Sequence, residues 1–226
     1  MGTQTQVEMK IITPSTKITL LLADDDPLAR AGMRSILSLA EDIEVTGEAQ
    51  DGYEVQKLVA ELRPRILLLD LKMPGPRPAE LEKWVRENYP CTDTLVLTSH
   101  DRNAYLASMM DSGAAGYLSK GTSADQLINA IRRAAQGETL FDSAQISRAD
   151  QWRKDVGEKL DQLTPQEKRV LELLAQGLDN KSIASALDIS AKTVAYHITH
   201  LLSKLNVNSR QEATIWALKH LSDNLE

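Results

Sequence analysis

At 226 residues the chain is long for one compact core and comfortable for two domains. Its composition, 42% apolar and 26% charged with few aromatics, excludes wholesale disorder, a collagen-like repeat and a membrane class. A net charge of −6 excludes a chain that coats nucleic acid through bulk charge, although charge can be divided unevenly along a sequence.

Residues 1–17 lack the apolar core of a secretory signal and read as an N-terminal extension. The best apolar run, Ile66 to Leu71, is interrupted by Asp70, so no membrane span and a cytoplasmic location are expected. The single cysteine, Cys91, cannot form an internal disulfide or a cysteine-based zinc site, which fits a reducing compartment.

From Ile18 to about Gln136, short apolar runs alternate with amphipathic stretches. In order these are ITLLLAD, PLARAGMRSILSLA, IEVTGEA, YEVQKLVAELR, ILLLDL, PAELEKWVREN, TLVLTS, NAYLASMMDSG, GYLSK and ADQLINAIRRAAQ. Five strands alternating with five helices predict an α/β domain over residues 18–137, doubly wound about a parallel sheet. Strands such as Ile66–Leu69 and Thr94–Thr98 lack period-two alternation, as expected when both faces are covered. Residues 138–161 are polar and mixed, with Phe141 and Trp152 as isolated apolar anchors, and read as a partly helical linker.

Residues 162–226 predict an all-α domain of four helices. In LTPQEKRVLELLAQG, Thr164 is the expected N-cap, Pro165 the first helical residue, Glu167 the capping-box partner and Gly177 the stop. NKSIASALD, a turn at ISA, a longer helix to Leu205 and a last one from Arg210 follow. Residues 161–226 carry seven Lys/Arg against eight Asp/Glu, yet between 180 and 220 Lys181, Lys192, Lys204, Arg210 and Lys219 face only Asp188 and Glu212. That local surplus suits phosphate contacts. On the longer helix Val194, Ile198, Leu201 and Leu205 form an apolar face, opposite Lys192, Tyr196, Thr199 and Ser203. A helix anchored on one face and lined with hydrogen-bonding groups on the other can lie in the major groove, although a four-helix domain that merely wets one face has the same pattern.

Chemistry concentrates at strand ends in the α/β half. Asp24, Asp25 and Asp26 follow the first strand, Asp70 ends the third, and Thr98 and Lys120 end the fourth and fifth. In a doubly wound sheet these ends converge on one crevice. Clustered carboxylates call for a hard divalent cation such as Mg²⁺, and a hydroxyl and an ammonium beside them make a clamp for a phosphoryl group accepted by Asp70. Each residue alone has an ordinary structural reading, Asp26 before Pro27 as a helix start and Asp70 as a turn. Their joint placement at one sheet edge decides for a site.

The strings LLADDDP, LLLDLKMPG, LVLTSHD and GAAGYLSKG resemble the signatures of the response-regulator receiver domain, in its subfamily with NarL/FixJ-type outputs, over about residues 18–136. The resemblance implies a flavodoxin-like five-stranded sheet, phosphorylation of Asp70 by a sensor histidine kinase, and Mg²⁺ held by Asp24 and Asp25 with Asp70 and the backbone carbonyl of Lys72. It further implies Thr98 and Lys120 as phosphoryl-binding groups and Tyr117 as the aromatic that changes rotamer on activation. Pro76-Arg77-Pro78 departs from the family's usual small-residue loop.

The segment LTPQEKRVLELLAQGLDNKSIASALDISAKTVAYHITHLLSKLNVNSRQEA likewise resembles the LuxR/NarL-type helix-turn-helix. The resemblance makes Asn180–Leu187 the scaffold helix, Ala191–Leu205 the recognition helix, double-stranded DNA the ligand, and the helix after Ser209 a source of homodimer contacts. Expected DNA contacts are Lys181, Lys192, Thr193, Tyr196, His197, Thr199 and His200, with His197 equally suited to packing. Relatives commonly carry basic residues where this chain has Ala195 and Thr199.

Two other readings stay open: a receiver that works without phosphorylation, and a helical domain that binds a protein partner. An enzyme is not expected. A phosphohydrolase of the haloacid-dehalogenase type needs a carboxylate two residues beyond its nucleophile, where this chain has Lys72, and no phosphate-loop, serine-hydrolase or zinc-protease motif occurs.

Overall fold

The computed structural model describes residues 17–221; the expected N-terminal extension, Lys17 apart, and the last five residues of the expected helical domain lie outside them. The described residues form two compact units, one running to Asp101 and including Ser108–Phe141, the other comprising Arg102–Ala107 and the chain from Asp142.

The strands β1 (Ile18–Ala23), β2 (Ile43–Ala49), β3 (Ile66–Leu69), β4 (Asp93–Thr98) and β5 (Gly116–Ser119) alternate with α1 (Pro27–Leu37), α2 (Gly52–Leu62), α3 (Pro78–Asn88), α4 (Asn103–Ser112) and α5 (Ala124–Ala135), all in the first unit except the start of α4, Asn103–Ala107. The sheet is parallel, in the order β2-β1-β3-β4-β5. Each strand falls on an apolar run predicted from sequence. Leu20, Leu22, Ile66, Leu68, Leu95 and Leu97 pack against Met33 and Leu37 of α1 and Leu127, Ile128 and Ile131 of α5. Leu21, Leu67, Leu69 and Val96, alternate residues of the same strands, are equally buried, so both faces are covered.

The strand order changes direction between β1 and β3, the position at which such sheets bind ligands. Ala23 pairs with Leu69, so Asp24 and Asp70 leave the sheet side by side, and the Asp70 amide donates to the Ala23 carbonyl at 2.9 Å. Thr98 pairs with Ser119, and the Lys120 amide donates to the Thr98 carbonyl at 3.0 Å.

The segment read as a linker is helical over most of its length. Asp142 forms a reciprocal capping box with Gln145 at the start of α6 (Ser143–Trp152), a π-helical turn spans Arg153–Gly157, and α7 (Glu158–Asp161) follows. The buried side chains of this stretch are Ala149 and Val156. Next come α8 (Pro165–Ala175), α9 (Asn180–Leu187), α10 (Ala191–Leu205) and α11 (Arg210–Leu221). The Thr164–Glu167 capping box forms as predicted. Val194, Ile198, Leu201 and Leu205 of α10 are all buried, with Val170, Leu171 and Leu174 of α8, Ile183 of α9 and Ala213 and Ala217 of α11. Glu167 has a second task, accepting a 2.7 Å hydrogen bond from Lys204 Nζ that ties α8 to the end of α10.

Candidate functional site

Asp24, Asp25 and Asp70 come together at the carboxyl edge of the first unit, with one carboxylate oxygen from each inside a 4.8 Å group. Asp24 is wholly buried, Asp70 is nearly so and Asp25 is exposed. Lys120 reaches across from the end of β5, its Nζ 2.6 Å from Asp24 Oδ2 and 2.9 Å from Asp70 Oδ2. Burial depresses the Lys120 ammonium, but the contacts with the two carboxylates outweigh it and lift its pKa above the ordinary lysine value. Lys120 therefore stays charged and offsets one of the three carboxylates.

Local hydrogen bonds hold the acidic groups. Asp24 Oδ1 accepts from the Asp26 amide at 3.0 Å, and Asp70 Oδ1 from the Leu71 amide at 2.8 Å. Asp24 Oδ2 is buried, and its contact is the 2.6 Å ion pair with Lys120 Nζ. A buried carboxylate oxygen with spare lone pairs, beside two further carboxylates, fits a hard divalent cation with oxygen ligands such as Mg²⁺. Asp26 stands apart from the cluster as the N-cap of α1, accepting from the Leu28 and Ala29 amides. Lys72 is exposed in the loop after β3.

Two residues that sequence reasoning missed brace the edge. Arg30, on the first turn of α1, donates to the Asp24 carbonyl and lies 3.5 Å from Glu48. His100 connects Thr98 to Tyr117: its amide donates to Thr98 Oγ1 at 3.1 Å, while its carbonyl accepts from the Tyr117 hydroxyl at 2.7 Å. Thr98 and Tyr117 are both buried. Neither Arg30 nor the backbone of His100 carries a sequence signal for these contacts.

The proline-rich loop after Asp70 leans on the start of α2. The Gly52 amide donates to the Pro74 carbonyl at 2.8 Å, and a β-carbon on Gly52 would sit 2.9 Å from Pro76 Cδ. Gly75 has φ of +123°, a conformation that excludes ordinary side chains, and its own β-carbon would meet the Gly52 nitrogen at 3.0 Å. Pro78 takes the first turn of α3, whose N-cap Arg77 makes no side-chain cap.

In the second unit Lys181 of α9 and Lys192, Tyr196, Thr199 and His200 of α10 are exposed, whereas His197 is half-buried. The ring of Tyr196 lies 4.3 Å from that of His200 and 6.0 Å from that of His197. Two expected contact residues have local partners. Thr193 Oγ1 is 2.8 Å from the hydroxyl of Ser190, the α10 N-cap, and the Thr199 hydroxyl donates to the Ala195 carbonyl at 3.1 Å.

Known proteins share both units. The family model for the response regulator receiver domain matches residues 20–132, and that for bacterial regulatory proteins of the luxR family matches residues 161–217. The nitrate/nitrite response regulator protein NarL of Escherichia coli K12 is 37% identical over 204 residues, covering 88% of this chain and 94% of that protein. The oxygen regulatory protein NreC of Staphylococcus epidermidis is 39% identical over 210 residues, covering 88% and 96%. Among solved structures, RcsB from Salmonella enterica serovar Typhimurium, bound to promoter rprA in the presence of phosphomimetic BeF3⁻, is similar with a TM-score of 0.55 and 27% identity, covering 88% of this chain and 98% of that one.

Proposed function

The chain belongs to the response regulators of two-component systems, with a receiver domain and a LuxR-type output domain, and from that premise we propose that a histidine kinase phosphorylates Asp70 and that phosphorylation controls transcription through DNA binding by α10. The observation that carries this reading is the convergence of Asp24, Asp25, Asp70 and Lys120 at one sheet edge.

An Asp70 carboxylate oxygen attacks phosphorus as the bond to the kinase imidazole breaks, and the imidazole retains the electron pair of that bond. Asp24, Asp25, Asp70 and the Lys72 carbonyl would hold Mg²⁺, which when bound would supply positive charge to offset that of the phosphoryl oxygens and the carboxylates. Lys120, already charged and in contact with Asp70, pairs with a phosphoryl oxygen. Thr98 turns its hydroxyl to another, which gives up the hydrogen bond from the His100 amide. Because the His100 carbonyl holds the Tyr117 hydroxyl, the same movement bears on Tyr117, the proposed switch.

The proposed domains are residues 18–137 and 162–226, joined by 138–161. Lys181 and Lys192 meet phosphates, Tyr196, His197, Thr199 and His200 face the groove, and Thr193 shapes the first turn of α10. A homodimer pairing through the helix after Ser209 would bind two half-sites, and a regulator of chromosomal genes works in the cytoplasm. Acetyl phosphate with Mg²⁺ should label the wild type and leave Asp70→Asn unlabelled; equal labelling of the two would remove Asp70 from the site. Binding to promoter fragments should fall steeply with salt and weaken in Lys192→Ala. Salt-insensitive capture of a protein instead would favour the protein-partner reading.

A further inference from the structure

We infer that α10 reads thymine methyl groups in the major groove, through a band of methyl and aromatic side chains, and does not read guanine edges through cations. The inference rests on the DNA-binding reading above and specifies its ligand.

The distribution of charge on α10 comes first. The helix contains two cationic residues, Lys192 and Lys204. Lys204 is committed to Glu167 at 2.7 Å, on the side packed toward α8. Nearby Arg210 is likewise occupied, with Asn180 Oδ1 at 2.6 Å and the Leu178 carbonyl. Lys192 remains, in the first turn of α10, and the DNA-binding reading above gives it to backbone phosphate. Reading guanine through O6 and N7 takes an arginine or lysine in mid-helix, and the mid-helix positions on this face are Ala195, Tyr196, Thr199 and His200.

Those side chains present carbon. Ala195 and Thr199 are exposed and one turn apart, so they are neighbours on the helix surface. The Thr199 hydroxyl donates to the Ala195 carbonyl at 3.1 Å, which spends its proton on the helix backbone and leaves the γ-methyl as the apolar end of an exposed side chain. Alongside them Tyr196 is 62% exposed yet held in place by the His200 ring at 4.3 Å. A large aromatic kept in a fixed pose on an open helix face offers apolar area at low entropic cost. The C5-methyl of thymine is the apolar group that the major groove presents, and alanine and threonine methyls are its matching partners.

The experiment starts with full-length protein treated with acetyl phosphate and Mg²⁺, used to select duplexes from a library with a randomised core. Selected duplexes should carry thymines at the centre of each half-site. Replacing one such thymine by deoxyuridine, which removes only the methyl, should weaken wild-type binding about fourfold, the factor for burying one methyl group. Thr199→Ser keeps the hydroxyl and loses the methyl; it should bind the thymine duplex about fourfold more weakly and become indifferent to deoxyuridine at one position. Indifference of the wild type to deoxyuridine at every position, or selection of a guanine core, overturns the inference while DNA binding stands. Selection of no duplex overturns the DNA-binding reading itself. The deoxyuridine series uses wild-type protein, so it decides the matter even if Thr199→Ser folds poorly.

Discussion

Glu82 should make the stability of the receiver unit fall with rising pH across the neutral range. Its side chain points into the interior from α3, only 2% of the residue is exposed, and Oε2 accepts no hydrogen bond. Burial pushes its pKa from 4.5 up to about 7, against the smaller lowering effects of the Thr94 hydroxyl and the Arg86 guanidinium; the Asp93 carboxylate adds to the rise. The folded state thus binds this proton more tightly than the unfolded state does. The resulting stabilisation is complete below pH 4.5 and is lost as pH climbs through about 7. At 1.36 kcal/mol per unit, the full loss is about 3 kcal/mol, a large share of a domain's margin. Glu82→Gln keeps the shape and removes the titration, so the variant should match the wild type near pH 4.5 and exceed its stability by up to about 3 kcal/mol at pH 8. Urea unfolding read by hydrogen exchange in peptides covering β3 and β4 isolates this unit from the helical one. The difference between variant and wild type is the quantity to follow, because other groups titrate in the same range and cancel in it. Parallel stability curves for the two proteins would refute a buried, proton-dependent Glu82.

In the second unit, Lys204→Met should strand the buried Glu167 carboxylate and cost about 2 kcal/mol, measured by thermal unfolding of helical circular dichroism. Burial raises the pKa of Glu167, but Lys204 and the Thr164 cap outweigh it and hold the carboxyl below its usual value. Its stabilisation is therefore present above pH 4.5 and fades as pH falls through the lowered pKa, a dependence that should be shallower in Lys204→Met. Gly75→Ala forces a side chain into a φ of +123° and against the Gly52 nitrogen. It should cost about 1–3 kcal/mol and speed hydrogen exchange at the Gly52 amide, now bonded to the Pro74 carbonyl at 2.8 Å. Unchanged protection there would mean that the loop does not depend on this glycine.

The fold was readable where burial writes itself as composition. Strands covered on both faces must be continuously apolar, as ILLL at 66–69 is, and a helix that starts at Thr164-Pro165 with Glu167 declares its cap. Residues 138–161 failed that test for a physical reason. The side chains that α6 and the following turn bury are Ala149 and Val156, too small to stand out, while the conspicuous Phe141 and Trp152 are only half-buried. The π-helical turn at Arg153–Gly157 also breaks the 3.6-residue rhythm by which a helix is recognised.

Within the candidate sites, side chains at strand ends were legible because topology alone brings Asp24, Asp25, Asp70 and Lys120 to one edge. Contacts made to backbone atoms were not, since a carbonyl such as that of Asp24 or His100 looks the same whichever residue carries it. The threonines of α10 lie between these cases. Thr193 and Thr199, read from sequence as hydrogen-bonding groups, also follow a rule that sequence carries: a threonine near a helix start tends to join its cap, and one in a helix interior tends to bond back to the carbonyl four residues earlier. Both happen here, with Ser190 and with Ala195. On α10 that habit gives each hydroxyl a local partner, so the methyl of each threonine has to be weighed beside its hydroxyl when the side chain is read as a ligand contact.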